Sequence, residues 1–296
     1  MSVNMPSKTM VSYPIVTALV AADQFLGAHQ SWQAVNDQQA RFLAEIFEPG
    51  RTEGTKIPEI ESLASRNVDE INAFLRQRGF RIQLKPFPSF PPGAFGTASV
   101  LDLLVEWQQA GDKTTIEDNS KKGYPAVRLS KGVNYYQNDT HRHPIAAITT
   151  KSEDIVYMTM IDDAPHEFDL IAVVEKLTAS SHSVGTFSGV IFPMVDLDQC
   201  VDIRWLRNMT TIDEGGMIYY IEQALQQTIL KMNEEGARAK SAVAMSFAPT
   251  GAFHQTKPYM IINKPFLIWF VRSGLSKPLF AGYITQEDWK KPASIR

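Results

Sequence analysis

The chain has 296 residues, 44% of them hydrophobic and 21% charged, an ordinary globular composition with apolar material for a large core. Its 29 basic and 32 acidic residues leave a formal net charge of -3, and no dense Lys/Arg run breaks that balance. Nucleic acid and anionic membrane surfaces are therefore excluded as partners, and a single cysteine, Cys200, excludes an internal disulfide framework.

Cys200 has no catalytic motif around it and is expected to be a buried structural residue. Near the amino end, Val11 to Ala22 is apolar and Lys8 precedes it, which imitates a secretory signal. Tyr13, Pro14 and Thr17 interrupt the run, so it reads as a helix buried inside the fold. No stretch approaches the roughly 20 apolar residues of a membrane span. The lone cysteine fits a cytoplasmic protein, and secretion stays open as the alternative.

Ile15, Leu19, Ala22 and Leu26 recur at helical spacing, as do Phe42 and Ile46, and later Ile71, Phe74 and Leu75, so the first ~80 residues read as helical. Asn67 is placed to cap a helix whose first turn carries Asp69 and Glu70. Lys85 to Gly93 holds four prolines and must be extended or looped. Val100, Leu103, Leu104 and Trp107 then fall on one helical face, predicting a helix that ends near Gly111. Asn119 to Gly123 is a polar turn.

From Tyr124 the pattern becomes strand-like. Val127, Leu129 and Val133 suggest a strand, and Ile145 to Thr150 with Ile155 to Ile161 suggest a pair joined by Lys151 to Asp154. Phe168 to Leu177 is a short amphipathic helix. Gly189 to Leu197 and Met217 to Met232 are strand-rich, and Tyr259 to Arg272 and Leu279 to Ile284 are two further apolar strands. Helices first and strands later predict an α+β fold with large, mostly antiparallel sheets and helices packed in the amino-terminal half.

Between two strand-like runs lies Glu234-Glu235-Gly236-Ala237-Arg238-Ala239-Lys240-Ser241-Ala242-Val243. Ala237, Ala239, Ser241 and Val243 are small or β-branched, whereas Arg238 and Lys240 fall on the opposite phase. Such a stretch can enter a sheet with its small residues inward and both charges in water. Gly236 provides a pivot before it. The same residues would also suit an Ala-rich helix start.

The flanks of this stretch resemble the serpin family. Met232-Asn233-Glu234-Glu235-Gly236-Ala237-Arg238-Ala239 is similar to the serpin hinge. Downstream, Asn263-Lys264-Pro265-Phe266-Leu267-Ile268-Trp269-Phe270-Val271-Arg272 and then Pro278-Leu279-Phe280-Ala281-Gly282-Tyr283-Ile284 resemble the family's closing strands, with a loop a few residues longer. Phe192-Pro193-Met194-Val195 and Leu26-Gly27-Ala28 also resemble family segments. Leu101 to Lys113 looks like the helix over the main sheet, with Trp107 as its tryptophan. The likeness is good from about Gly189 onward, and the chain is shorter than most members.

The resemblance implies one serpin-like domain over residues 1–296, with a reactive-centre-like loop at 234–258. It further implies a metastable, monomeric protease inhibitor whose loop is cleaved by a serine or cysteine protease and then inserts as a strand. The hinge would be Glu234, Glu235, Gly236, Ala237, Ala239 and Ser241, and the cleaved bond would lie among Thr250, Gly251, Ala252, Phe253 and His254. The chain would supply no catalytic group, cofactor or metal site. The family's polar residues beneath the main sheet have Tyr13, Val16, Lys131 and Gln226 as nearest counterparts here. That departure leaves open a non-inhibitory serpin-like protein that binds a small molecule, peptide or partner, or one repurposed as an enzyme around His166, Asp162 or Tyr136.

Other constellations read as structural. His141 and His143 form an H-x-H pair without the ligand spacing of a known metal site, even with His166 or His182 added. Asp162-Asp163 and Asp196 to Asp202 sit at strand ends, Gly215-Gly216 is a turn, and the pairs Tyr135-Tyr136, Tyr219-Tyr220 and Trp269-Phe270 read as strand core.

Overall fold

Strand β1 (Lys8–Met10) leads into α1 (Ser12–Leu26), whose Ile15, Leu19 and Ala22 form a buried face as their spacing requires. Gly27 ends the helix in the left-handed conformation, at φ 62°. The computed structural model describes residues 6–27, 32–89, 93–185, 187–237, 258–293 and 295. Helix α2 (Asp37–Phe42) continues through a π-helical stretch, Leu43–Phe47, into α3 (Glu48–Gly54). Strand β2 (Ile60–Ser65) then appears where the sequence reads as helical. Helix α4 (Val68–Gln77) begins at Asn67, whose Oδ1 accepts from the Asp69 N–H at 2.9 Å, as predicted.

The next segment departs from expectation. Val100 to Gly111 is not a helix. It forms β3 (Gly96–Leu101) and, after a break, β4 (Val105–Glu106), with Trp107 pairing as a single bridge to Thr150. The i, i+3, i+4, i+7 spacing of Val100, Leu103, Leu104 and Trp107 is coincidental, and Leu104 is exposed.

The remaining strands are β5 (Asp112–Glu117), β6 (Gly123–Leu129), β7 (Val133–Asn138), β8 (His141–Thr149) and β9 (Ile155–Met160). Helix α5 (Leu170–Ala179) follows, then β10 (Ser181–Ser183), β11 (Gly189–Pro193), β12 (Val195–Val201), β13 (Thr210–Ile212) and β14 (Ile218–Tyr220). The chain closes with β15 (Gln226–Met232), β16 (Gly236–Ala237), β17 (Tyr259–Ile261), β18 (Phe266–Val271) and β19 (Phe280–Ile284).

Among the described residues the largest sheet has seven strands in the order β1-β19-β18-β9-β8-β7-β10. Two four-stranded sheets run β17-β11-β6-β5 and β12-β15-β16-β4, and β2–β3 and β13–β14 stand as pairs. Every named pairing among the described residues is antiparallel except β11–β17. Strand β18 is a continuous apolar run because the seven-stranded sheet is covered on both faces. Phe266, Ile268 and Phe270 enter one core with Val190 and Phe192; Leu267 and Trp269 enter the other with Leu170, Ile171 and Val174 of α5.

Two smaller expectations are also corrected. Cys200 is exposed, because it lies on the solvent phase of β12, between the buried Val201 and the half-buried Gln199. Tyr220 is 60% exposed, as the β13–β14 hairpin has only one covered face. Among the described residues, no helix is long and apolar enough to cross a membrane.

Candidate functional site

The hinge residues Glu234, Glu235, Gly236 and Ala237 are held by more contacts than a surface turn needs. Gly236 and Ala237 form β16, seated between two strands: Ala237 pairs with Met232 of β15 on one side and with Val105 of β4 on the other. Ala237 is only 2% exposed. Trp107, fully buried, donates from Nε1 to the Asn233 carbonyl at 3.0 Å and from its backbone N–H to Glu235 O at 3.2 Å. Gly111 N–H donates to Glu234 O at 2.8 Å, and the Asn233 side chain accepts from Glu235 N–H at 2.8 Å. The Glu234 carboxylate, 2.8 Å from Lys113 Nζ, holds that ammonium above its usual range.

Below β16 the sheet parts. β15 is bonded to β12 along its length and to β16 only at Met232, while β3 is bonded only to β2 among the described residues. Two strand edges therefore face a slot. Its cavity measures about 600 Å³ and is lined by α1 through Ile15, Ala18 and Leu19, by β3, and by β15. Ser99 faces α1, since its hydroxyl meets Thr17 Oγ1 at 2.6 Å, so Ala98 and Val100 must face the other way.

On that other face a strap, residues 80–88, crosses from α4 to β15. Asn72 of α4 grips it twice: Nδ2 donates to Leu84 O at 3.0 Å, and Oδ1 accepts from Leu84 N–H at 2.9 Å. At the far side Gln227 Oε1 accepts from Arg81 N–H at 2.7 Å and Ile82 N–H at 3.2 Å. Gln223 bonds both backbone groups of Lys85, at 2.8 and 3.2 Å. Ile82, Leu84 and Phe87 pack with Ile71, Leu75, Ala98 and Val100 beneath the strap. The slot is thus floored by α1, walled by β3 and β15, and roofed by the strap.

No model of a known protein family matches the sequence, and no curated protein does. Solved structures do match. A serpin from Schistosoma mansoni superimposes with a TM-score of 0.64 at 10% identity, covering 95% of each chain. A thyroxine-binding globulin complex with thyroxine gives 0.61 at 12% identity, over 97% of this chain and 94% of that one. Serpin48 of the insect Tenebrio molitor gives 0.55 at 14% identity, over 95% and 92%. The chain has the serpin fold.

Within this serpin fold, Trp107 directly follows β4 and pairs with Thr150, and it is not part of a covering helix; the strap lies over the slot instead. The polar group beneath the slot also differs from the residues expected from sequence. Gln226 does face α1, donating from Nε2 to Val11 O at 2.8 Å. Lys131 does not: it lies in the turn between β6 and β7. Tyr13 donates to Glu53 at 2.6 Å, and burial pushes its hydroxyl well above the usual tyrosine range. The hydroxyl cluster at the slot is Thr17, Ser99 and Ser62, the last pair at 3.0 Å. Its signal, small hydroxyl residues on three elements remote in sequence, is visible only after folding.

Ala239 and Ser241 of the hinge, and Thr250, Gly251, Ala252, Phe253 and His254 of the cleavage window, lie outside the described residues. The histidine pair is structural: His141 Nε2 meets Thr159 Oγ1 at 2.8 Å, and His143 meets Asp162 at 3.4 Å. Burial holds His141 below the usual histidine range. Asp162 also meets Lys264 at 3.5 Å, and His182 lies 4.0 Å from Asp139. Among the described residues no three His, Cys, Asp or Glu side chains converge as a metal site would need.

Proposed function

We propose that the chain is a protease inhibitor that works by loop cleavage and strand insertion, with residues 234–258 as the sacrificial loop. The observation that carries this reading is β16: the first two residues of the inserting strand already sit between β15 and β4, at the head of a slot. Continuing that antiparallel register down β15 sets Ala239 opposite Leu230, Ser241 opposite Thr228 and Val243 opposite Gln226. Residues directly opposed in an antiparallel pair share a face, so all three small side chains would point toward α1. Arg238 and Lys240 would point the other way. A serine or cysteine protease that attacks near Thr250 to His254 would free this strand to zip downward and carry the acyl-linked enzyme with it.

Thr228 favours the register further. Its hydroxyl is buried and without a hydrogen-bond partner among the described residues, and leaving such a group unmet costs about 1–3 kcal/mol. Ser241 Oγ would meet it in the inserted strand.

The test mixes the protein with serine and cysteine proteases and looks for an SDS-stable complex. The cleaved protein is then melted beside the intact one. About ten new backbone hydrogen bonds, each worth about 1 kcal/mol net, should raise Tm by at least ~10 °C. In a Cys200→Ser background, Thr228→Cys and Ser241→Cys should form a disulfide after cleavage. Cleavage with no complex, no rise in Tm and no cross-link would overturn the reading.

A further inference from the structure

The slot has properties that a place for one further strand alone does not require. Its volume of about 600 Å³ falls in the range of roughly 300–1,000 Å³ typical of small-molecule sites. The strap covers it on the face opposite α1 through Phe80, Ile82, Leu84 and Phe87, which makes it a partly open sleeve. β3 spans six residues, which at about 3.3 Å each makes the sleeve about 20 Å long. At one end it opens beside Met217, Ile218, Tyr220 and Leu225, four large apolar side chains that border the cavity and are 45–65% exposed. Exposed apolar residues gathered at one mouth mark a place where apolar material enters.

The polar groups inside select the ligand further. Gln226 and Thr228 are 8% and 5% exposed, and both line the cavity. Gln226 spends its amide on Val11 O, which leaves Oε1 as an acceptor without a partner among the described residues; Thr228 Oγ1 likewise has none. The charged residues bordering the cavity are Glu61, Arg78, Asp102, Glu222 and Lys231, each exposed or half-buried. A charged headgroup held beside these two buried groups would lose its hydration with no counter-charge to replace it. A hydroxyl or amide head would give a proton to Gln226 and take one from Thr228.

We infer that the intact chain binds a neutral, long-chain lipid in this sleeve, tail along α1 and hydroxyl or amide head at Gln226 and Thr228. This does not rest on the inhibitor reading, because it concerns the protein before any cleavage.

The probe is 9,10-dibromostearyl alcohol, whose bromines quench tryptophan at short range. Of the five tryptophans, Trp32 alone borders the cavity. Titration of the intact protein should give saturable, partial quenching that disappears in Trp32→Phe. Ala18→Phe, which fills the sleeve from its floor, should weaken binding at least tenfold, and Ala22→Leu is the second blocking variant if Ala18→Phe does not fold. Thr228→Val should weaken it about fivefold. The dibromostearate anion at pH 8 should bind at least tenfold more weakly than the alcohol. Absence of saturable quenching, quenching that persists in Trp32→Phe, or unchanged affinity in the blocking variants would overturn the site. Equal binding of the anion would overturn the ligand class. All of these are read on uncleaved protein, so a failure of loop insertion leaves them distinct.

Discussion

At Gly236 an added Cβ would run into the Val105 carbonyl oxygen and lie 2.9 Å from Glu106 Cα. Both are backbone atoms of β4 and cannot swing aside, so the glycine is required by close approach and not by a left-handed φ. Gly79 is the opposite case, with φ at 85° and open space for 4 Å around the place a Cβ would take. Gly236→Ala should therefore lower the unfolding free energy by about 1–3 kcal/mol and release β16, seen as faster amide exchange at Ala237. Gly79→Ala should cost about 1 kcal/mol, the backbone penalty alone, and leave Ala237 protected. Equal costs in urea denaturation, with Ala237 exchange unchanged in both variants, would remove the steric explanation. The hinge glycine itself is legible in the sequence, since it stands in a recognisable motif; its reason is not, because Val105 is 131 residues away in the chain.

At the scale of elements, the strap is the part the sequence conceals most. Pro86 and Pro88 correctly indicate a segment without helix among the described residues, but its anchors include side chains of Gln223 and Gln227 bonded to backbone across 138 to 146 residues. No periodicity reports such bonds. Val100 to Trp107 misleads for a related reason: β3 is covered by α1 on one face and by α4 on the other, so both phases carry apolar or small residues and the alternation of a half-buried strand is lost. By contrast the β8–β9 hairpin is legible, with apolar runs on each side of Lys151-Ser152-Glu153-Asp154. The strap's dependence on Gln227 is open to test. Gln227→Leu removes the acceptor for two N–H groups and the 2.6 Å bond to Asp198. Exchange at the Arg81 and Ile82 amides should quicken at least tenfold while β15 amides bonded to β12 keep their protection. Unchanged exchange at Arg81 and Ile82 would mean that Asn72 and Gln223 suffice to hold the strap.

For the whole molecule, the slot can keep its width only if its two walls are tied to the same frame. One tie is Arg272, at the end of β18. Its guanidinium meets both Asp154 oxygens, at 2.8 and 2.9 Å, and both Glu59 oxygens, at 2.7 and 2.9 Å. Asp154 and Glu59 hold the guanidinium well above its already high range, and Arg272 in turn holds the Glu59 carboxyl below the usual carboxylate range. Glu59 immediately precedes β2, so this arginine fastens the β2–β3 wall to the seven-stranded sheet. The two acids are not equivalent: the Asp154 side chain is 1% exposed and the Glu59 side chain 26%. Removing the arginine would strand a buried carboxylate with Ser152 as its remaining side-chain partner, at 3.2 Å. Arg272→Met should thus lower stability by about 3–5 kcal/mol, whereas Glu59→Gln, which leaves Arg272 paired with Asp154, should cost about 1 kcal/mol. Urea denaturation of both variants checks this, and a loss in Arg272→Met no larger than that in Glu59→Gln would show that the arginine acts by packing and not by charge.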